Sequence, residues 1–367
     1  MGKSTLSVSL PSEWVKTTGL KKGSLVYFNL EEDGSLKLVT NAEREKRSQE
    51  DIEISADFCV DSQMLSKILV GNYVLGRDVI NIVSKTYLKG EHMDEVRNAI
   101  QGLMGIAIME ETPNRVVLQN SIDITSFSIH TLIRRLFIIA STMYQEVMDS
   151  FFKSEIKLAR GASHRRNEAN TIFWVVTRFL TSAQRDREIA DKINIQNSMQ
   201  ILWYTIVAKY LSNIIESLDN IANKVIALES NRKVIGELLL SEILSLSEKT
   251  YSICHRAMNS LFSSDIKLAN KVIEDYNDLQ KVDDQLQENI CSHAYLKGKS
   301  FSVTKYFKEK EPIEPCMIAN LKFIIWSIRR MAELGSEIAK VAILKALYKQ
   351  TKICKQLASS RNSGRNP

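Results

Sequence analysis

Proline is nearly missing from the middle of this 367-residue chain: none falls between Pro113 and Pro312, and only Gly161, Gly236 and Gly298 interrupt that stretch. Nine of the 14 glycines lie in the first 105 residues, so helix-breaking residues gather at the front. A strand-and-turn-rich first third followed by long helices is predicted. Cysteines are few and scattered. Cys59, Cys254, Cys291, Cys316 and Cys354 are odd in number and form no C-x-x-C pair, which argues against a disulfide scaffold and a zinc finger. Long apolar runs are also lacking, since Ile201 to Ala208 falls far short of a membrane span. Lys3, Ser4 and Thr5 occupy the place of a signal peptide's apolar core, and Leu6 stands where a myristoylation start needs Ser or Thr. The expected location is the cytoplasm, with no integral membrane segment. Acids are absent after Glu337, whereas seven cations follow and exceed the whole net charge of +6. Charge held in one tail is not the pattern of a protein that coats nucleic acid along its length.

What is present is ample core material. With 44% hydrophobic and 25% charged residues, disorder is excluded as the main state, and two or three domains are expected. In the front, Leu6, Val8 and Leu10 alternate with Ser7 and Ser9 as in a strand that ends at Pro11. Ser12 is placed to cap a short helix over 13–18, stopped by Gly19. Leu25 to Phe28 and Leu36 to Val39 read as strands joined by a hairpin at Asp33-Gly34. Such a unit, residues 1–45, cannot bury its own faces and needs a partner. Polar residues 41–50 read as a linker or a solvated strand extension. Residues 50–120 then follow the order β-α-β-α-β-β of a small two-layer α/β domain.

The remainder contains an internal repeat. Phe152-Lys-Ser-Glu-Ile-Lys-Leu-Ala159 and Phe262-Ser-Ser-Asp-Ile-Lys-Leu-Ala269 agree at six of eight positions, at an offset of 110. Further on, Lys209-Tyr210 matches Lys322-Phe323 and Ile221-Ala222 matches Leu334-Gly335, at an offset of 113. Two copies, residues 121–230 and 231–357, each have room for three helices. Leu211, Ile214, Ile215, Leu218, Ile221, Ala222, Val225 and Ile226 follow the spacing of a buried helical face. The loop with two prolines, residues 297–316, is the longest.

These pieces carry a resemblance. Gly2-Lys-Ser-Thr-Leu-Ser-Val-Ser-Leu-Pro-Ser-Glu-Trp14, with Gly19-Leu-Lys-Lys-Gly23, resembles a SpoVT/AbrB-type swapped-hairpin domain. The duplicated unit resembles PhoU, a regulator of phosphate transport and signalling built of two three-helix bundles. Its third helices carry a stretch like E-R-I-G-D-H-A-x-N-I, matched here by Glu216-Ser-Leu-Asp-Asn-Ile-Ala-Asn-Lys-Val225 and Arg329-Arg-Met-Ala-Glu-Leu-Gly-Ser-Glu-Ile338. The order of head, α/β middle and repeats resembles the archaeal-type PhoU regulators. The fold class so implied is mainly α with an α+β front: a swapped-hairpin β head, a small α/β domain and two PhoU-like bundles. A homodimer is implied, as is contact with the ATPase subunit of a phosphate ABC transporter or with a signalling protein.

Several residues then become candidates. The resemblance implies iron or zinc held through acids at i, i+4, a spacing that sets two carboxylates on one helix face. Here the pairs become Glu216 with Asn220, and Arg329 with Glu333, so one carboxylate is lost in each. Arg329 and Glu333 are expected to pair with each other instead. Asp275 and Asp278 stand on the second helix of copy two, where copy one has Arg165 and Glu168. Glu216, Asn220, Glu333, Asp275 and Asp278 are therefore the metal candidates, and sub-stoichiometric metal is expected. For DNA the candidates are Lys16, Lys21 and Lys22, although the head has no arginine and a net charge of only +1. Lys345, Lys349 and Lys352 share one helical face, which reads as a solvated C-terminal turn favoured by the helix dipole or as a contact for an acidic partner, DNA or an anionic membrane surface. No catalytic constellation emerges: Gly2-Lys3-Ser4 lacks the glycine and helix of a P-loop, and His130, His164 and His255 have no nucleophile beside them. A non-enzymatic regulator of phosphate transport is the leading expectation. The alternative is a DNA-binding regulator whose bundles sense a metal or metabolite.

Overall fold

A computed structural model describes residues 7–30, 34–40, 51–123, 127–295, 306–307 and 314–348. The linker 41–50, Leu6, Asp33, Lys349 and Lys352 lie outside the described residues, as does most of the loop 297–316. The chain divides into two compact units, Met1–Asp123 and Ile124–Pro367. It is mainly helical, with small sheets near the N-terminus.

In the first unit, α1 (Ser12–Thr18) ends at Gly19, whose φ of 67° is the left-handed geometry that glycine takes without strain. Ser12 is the first helical residue and not its cap; Pro11 holds the cap position and contributes no side-chain hydrogen bond. Next come β1 (Val26–Leu30) and β2 (Leu36–Thr40), paired antiparallel from Val26↔Thr40 to Leu30↔Leu36. Residues 7–10 form no strand, because a strand requires a ladder partner and none faces them among the described residues of one chain. Val8, Leu25, Phe28 and Leu36 remain more than half exposed.

The α/β part runs β3 (Ile52–Ser55), α2 (Met64–Val74), β4 (Val79–Val83), α3 (Gly90–Gln101), β5 (Ile106–Thr112) and β6 (Arg115–Asn120). Its sheet has the order β3-β4-β6-β5, with β3 and β4 parallel across the α2 crossover and the other pairs antiparallel. Alternation in β4 buries Ile80 and Ile82, and Leu65, Leu69 and Tyr73 of α2 and Val96 of α3 are buried as well. Gly105 is required where β5 begins: its φ is +79° and a Cβ there would lie 2.6 Å from that of Ile122.

The second unit holds α4 (Ile129–Lys153), α5 (Ile156–Arg160), α6 (Ala162–Arg185), α7 (Arg187–Lys192) and α8 (Ser198–Ala227). After them come α9 (Glu237–Ser263), α10 (Ile266–Tyr295) and α11 (Pro315–Tyr348). Helices α4, α6 and α8 pack as one triple, α9, α10 and α11 as another, and α8 lies along α11 to join them. The duplication is visible in the backbone. Ser154 and Ser264, at the 110-residue offset, both leave their helices through left-handed geometry, at φ 62° and 55°. The copies also differ from the expected three plain helices each. Copy one breaks at Gly161 into α5 and α6 and adds α7, whereas α10 runs unbroken with Lys271 at the matching position. Of the eight residues expected on the buried face of α8, seven are buried and Ile226 is half-buried.

Candidate functional site

The third helices carry the stretches singled out in the sequence, and Asp219 and Arg329 within them are paired with charges on neighbouring helices. On α8, Glu216 and Asn220 face solvent, while Asp219 between them is buried. Arg166 of α6 donates to Asp219 Oδ2 at 3.0 Å and Ser163 donates to Oδ1 at 3.1 Å. On α11 the expected Arg329–Glu333 pair is replaced. Arg329 reaches across to Asp283 and Asp284 of α10, each at 3.2 Å, and Glu333 takes Arg330 at 2.7 Å. The reason is burial: the Asp283 side chain is 1% exposed, and a carboxylate removed from water needs a countercharge more than a half-exposed Glu333 does. Burial pushes the Asp283 carboxyl above its ordinary range, with Arg329 opposing.

The second-helix candidates are neutralised in the same manner. Asp275 lies between Arg256 of α9, at 2.7 Å, and Lys271, at 3.2 Å. Burial pushes its carboxyl up, but the hydrogen bonds and charges of Arg256 and Lys271 outweigh this and hold it below the usual range. Asp278 is exposed and pairs with Lys281 at 3.0 Å. Asp275 and Asp278 line one groove with Lys249, Ser252, Arg256 and Val282, whereas Glu216 and Asn220 stand on α8 of the other copy. In copy one Arg165 forms a two-pronged bond with Glu146 of α4, which raises its pKa. A transition-metal cluster needs several anionic donors on one cation. Among the described residues no three His, Cys, Asp or Glu converge, and four of the acids, Glu333, Asp275, Asp278 and Asp283, are already answered by a cation. These residues do not fit an iron or zinc cluster.

Sequence reasoning missed Glu146, Asp219, Arg256 and Asp283. A signal for two of them existed: Glu146 and Arg256 stand 110 residues apart, the same offset as Arg165 and Asp275.

The lysine candidates separate into two groups. Lys16, Lys21 and Lys22 are exposed on the head, beside α1 and the turn where Ser24 Oγ accepts from the Lys21 amide. Lys345 has an internal role, since its Nζ donates to the Leu261 carbonyl, at the end of α9, at 2.8 Å. Arg232, 113 residues earlier, does the same for α4, donating to the carbonyls of Phe151 and Phe152 at 2.8 and 3.2 Å. Each cation satisfies carbonyls that a helix end leaves open and meets the negative end of its dipole.

An apolar cleft between α4, α8, α9 and α11 is lined by Phe137, Tyr144, Leu211, Tyr251, Cys254 and His255. Burial pushes the Cys254 thiol up to about 12, and its Sγ donates to the Met331 carbonyl at 3.3 Å. A thiol so protonated is a packing group and not a nucleophile. His130 packs at a tilt against Phe262, with ring centroids 4.6 Å apart; burial and the nearby Arg134 and Lys345 lower its pKa.

Comparison with known proteins places two landmarks. The family described as antidote-toxin recognition MazE, bacterial antitoxin, matches residues 1–49, so the head is a MazE/AbrB-type domain. The solved structure of PhoU from Pseudomonas aeruginosa is similar with a TM-score of 0.47 and 11% identity, covering 60% of this chain and 96% of that one. No curated protein matches the sequence. Among the described residues, no helix is long and apolar enough to cross a membrane.

Proposed function

We propose that this chain is a non-enzymatic regulator of phosphate transport and phosphate homeostasis that acts through protein contacts. The observation that carries the reading is the duplicated three-helix unit. Each copy presents the singled-out stretch on its third helix, Glu216 to Val225 on α8 and Arg329 to Ile338 on α11. Asp219 of α8 and Arg329, Arg330 and Glu333 of α11 are held in ion pairs, which suits a scaffold that offers surface and not a reaction centre. The partner so proposed is the ATPase subunit of a phosphate transporter or a signalling protein. Co-purification from cells grown with and without phosphate is expected to recover such a protein in phosphate-dependent amount. Recovery independent of phosphate would overturn the assignment.

The head supports a homodimer. Its two-stranded sheet leaves Leu25, Phe28 and Leu36 exposed, and a second copy would cover them. Removing residues 1–45 is expected to abolish self-association by light scattering. The MazE match and the exposed Lys16, Lys21 and Lys22 favour a second reading, in which the head also binds DNA. DNA retention at physiological salt, lost on replacing these lysines by Ala, would establish that reading. Elemental analysis is expected to find iron and zinc below stoichiometric amounts.

A further inference from the structure

The two copies differ in the sign of one conserved contact. In copy one Glu146 on the first helix meets Arg165 on the second; in copy two Arg256 on the first helix meets Asp275 on the second. Residues 146 and 256, and 165 and 275, stand at the 110-residue offset of the repeat, so the contact is the same and its polarity is reversed. Both pairs are about two-thirds or more shielded from water: the side chains are 35% and 25% exposed in copy one, 30% and 29% in copy two.

Tandem homologous bundles have a specific hazard. While the chain folds, a second helix from one copy can dock on the first helix of the other, since the apolar faces are alike and the local concentration is high. Wrong docking of α10 on α4 would set Asp275 against Glu146, and of α6 on α9 would set Arg165 against Arg256. Like charges pressed together in a contact about two-thirds shielded from water are a strong penalty on a wrong partner. The neighbouring position has no such power, because Glu168 and Asp278 carry the same sign. Neither have the capping cations Arg232 and Lys345, which are interchangeable in charge. We propose that the reversed polarity of Glu146–Arg165 and Arg256–Asp275 keeps each second helix on its own bundle and excludes exchange between the two copies.

The test uses the full-length chain refolded from urea. In R256E/D275R the second pair is retained but given the polarity of the first, so discrimination is removed; because D275R also sets a cation beside Lys271, the urea midpoint of this variant is measured alongside its refolding. The amplitude of slowly rescued, mispaired molecules, with the exchanged oligomers seen by light scattering, is expected to rise about tenfold over the parent. The four-residue variant E146R/R165E/R256E/D275R reverses both pairs, restores opposite polarity and is expected to return to the parent's value. Proline-limited phases are common to all variants and cancel in the comparison. If R256E/D275R refolds with the parent's amplitude and oligomer distribution, the proposal is wrong. Should that variant not fold, E146R/R165E matches the polarities from the other side and must show the same rise; parent-like refolding of it overturns the proposal equally.

Discussion

In copy one the cation that closes the first helix is Arg232; in copy two it is Lys345. Gly335 lies where the first and third helices of copy two meet, and at the 113-residue offset copy one has the buried Ala222. A Cβ on Gly335 would lie 3.1 Å from Ile253 Cγ2 and 3.2 Å from the Cys254 Cα, so α9 and α11 touch nearly backbone to backbone. The buried acid of copy one, Asp219, sits on the third helix and takes its arginine from the second; that of copy two, Asp283, sits on the second and takes its arginine from the third. The two bundles thus keep the same requirements, a closed helix end, a filled seam and a neutralised acid, while the residues that meet them have changed. Each difference yields a prediction about which copy is the more sensitive.

The largest effect is expected at the buried acids. Arg329→Met leaves Asp283, 1% exposed, without its principal counterion and should cost about 3–5 kcal/mol. Arg166→Met is milder, about 1 kcal/mol, since Arg166 is 44% exposed and Asp219 keeps the Ser163 hydroxyl. Urea midpoints of the two variants check this, and equal losses would refute the contrast. The pH dependence has a definite sign. A carboxyl whose folded pKa is raised favours the folded state at low pH and loses that contribution as pH rises through the folded value. The deficit of Arg329→Met should therefore shrink as pH is lowered through the carboxylate range.

The seam comes next. Gly335→Val forces side-chain atoms onto the Cys254 backbone, which cannot rotate away, and should cost about 1–3 kcal/mol by thermal unfolding. Ala222→Gly in copy one removes a Cβ that is already accommodated and should cost about 1 kcal/mol, chiefly through helix propensity. A Gly335→Val chain as stable as the parent would mean that α9 and α11 do not approach so closely.

How much of this was legible in the sequence follows from range. The β-α-β-α-β-β order along residues 50–120, the stop at Gly19 and the duplication depend on neighbours in sequence or on an offset, and periodicity reports both. Ser12 was misread because cap and first turn differ by one residue, and Pro at the cap position leaves the serine inside the helix. The Arg329–Glu333 expectation failed for a different reason. A spacing of four residues shows which side chains are able to meet on one helix, but not that a buried Asp283 on another helix competes for the same arginine. The candidate site was therefore legible as residue types and not as pairings, apart from Glu146 and Arg256, whose opposite signs the repeat offset exposes.

The capping cations give the next contrast. Arg232 is half-buried, bonds two carbonyls and lies over the Phe151 ring at 5.0 Å, so Arg232→Met should cost about 1–2 kcal/mol. Thermal unfolding is the measurement, and a loss no larger than that of the matching change at Lys345 would show that the guanidinium fork adds nothing.

Lys345 should give the smallest effect and the most useful control. Its bond to Leu261 O, at a helix C-terminus, predicts a loss of about 0.5–1 kcal/mol for Lys345→Met. Lys345→Arg keeps the charge and should recover most of it. Lys345→Glu should be worse than Met, because a carboxylate would face both the Leu261 carbonyl and the negative end of the α9 dipole. This bears on the reading of Lys345, Lys349 and Lys352 as a face for an acidic partner. Reversing all three charges mixes lost binding with a loosened bundle. Replacing only Lys349 and Lys352 by Glu leaves the Leu261 contact intact, so a salt-dependent loss of partner binding in that variant would report the surface alone. Unchanged binding there, with a loss only when Lys345 is also replaced, would mean that the tail acts by holding copy two together and not by touching the partner.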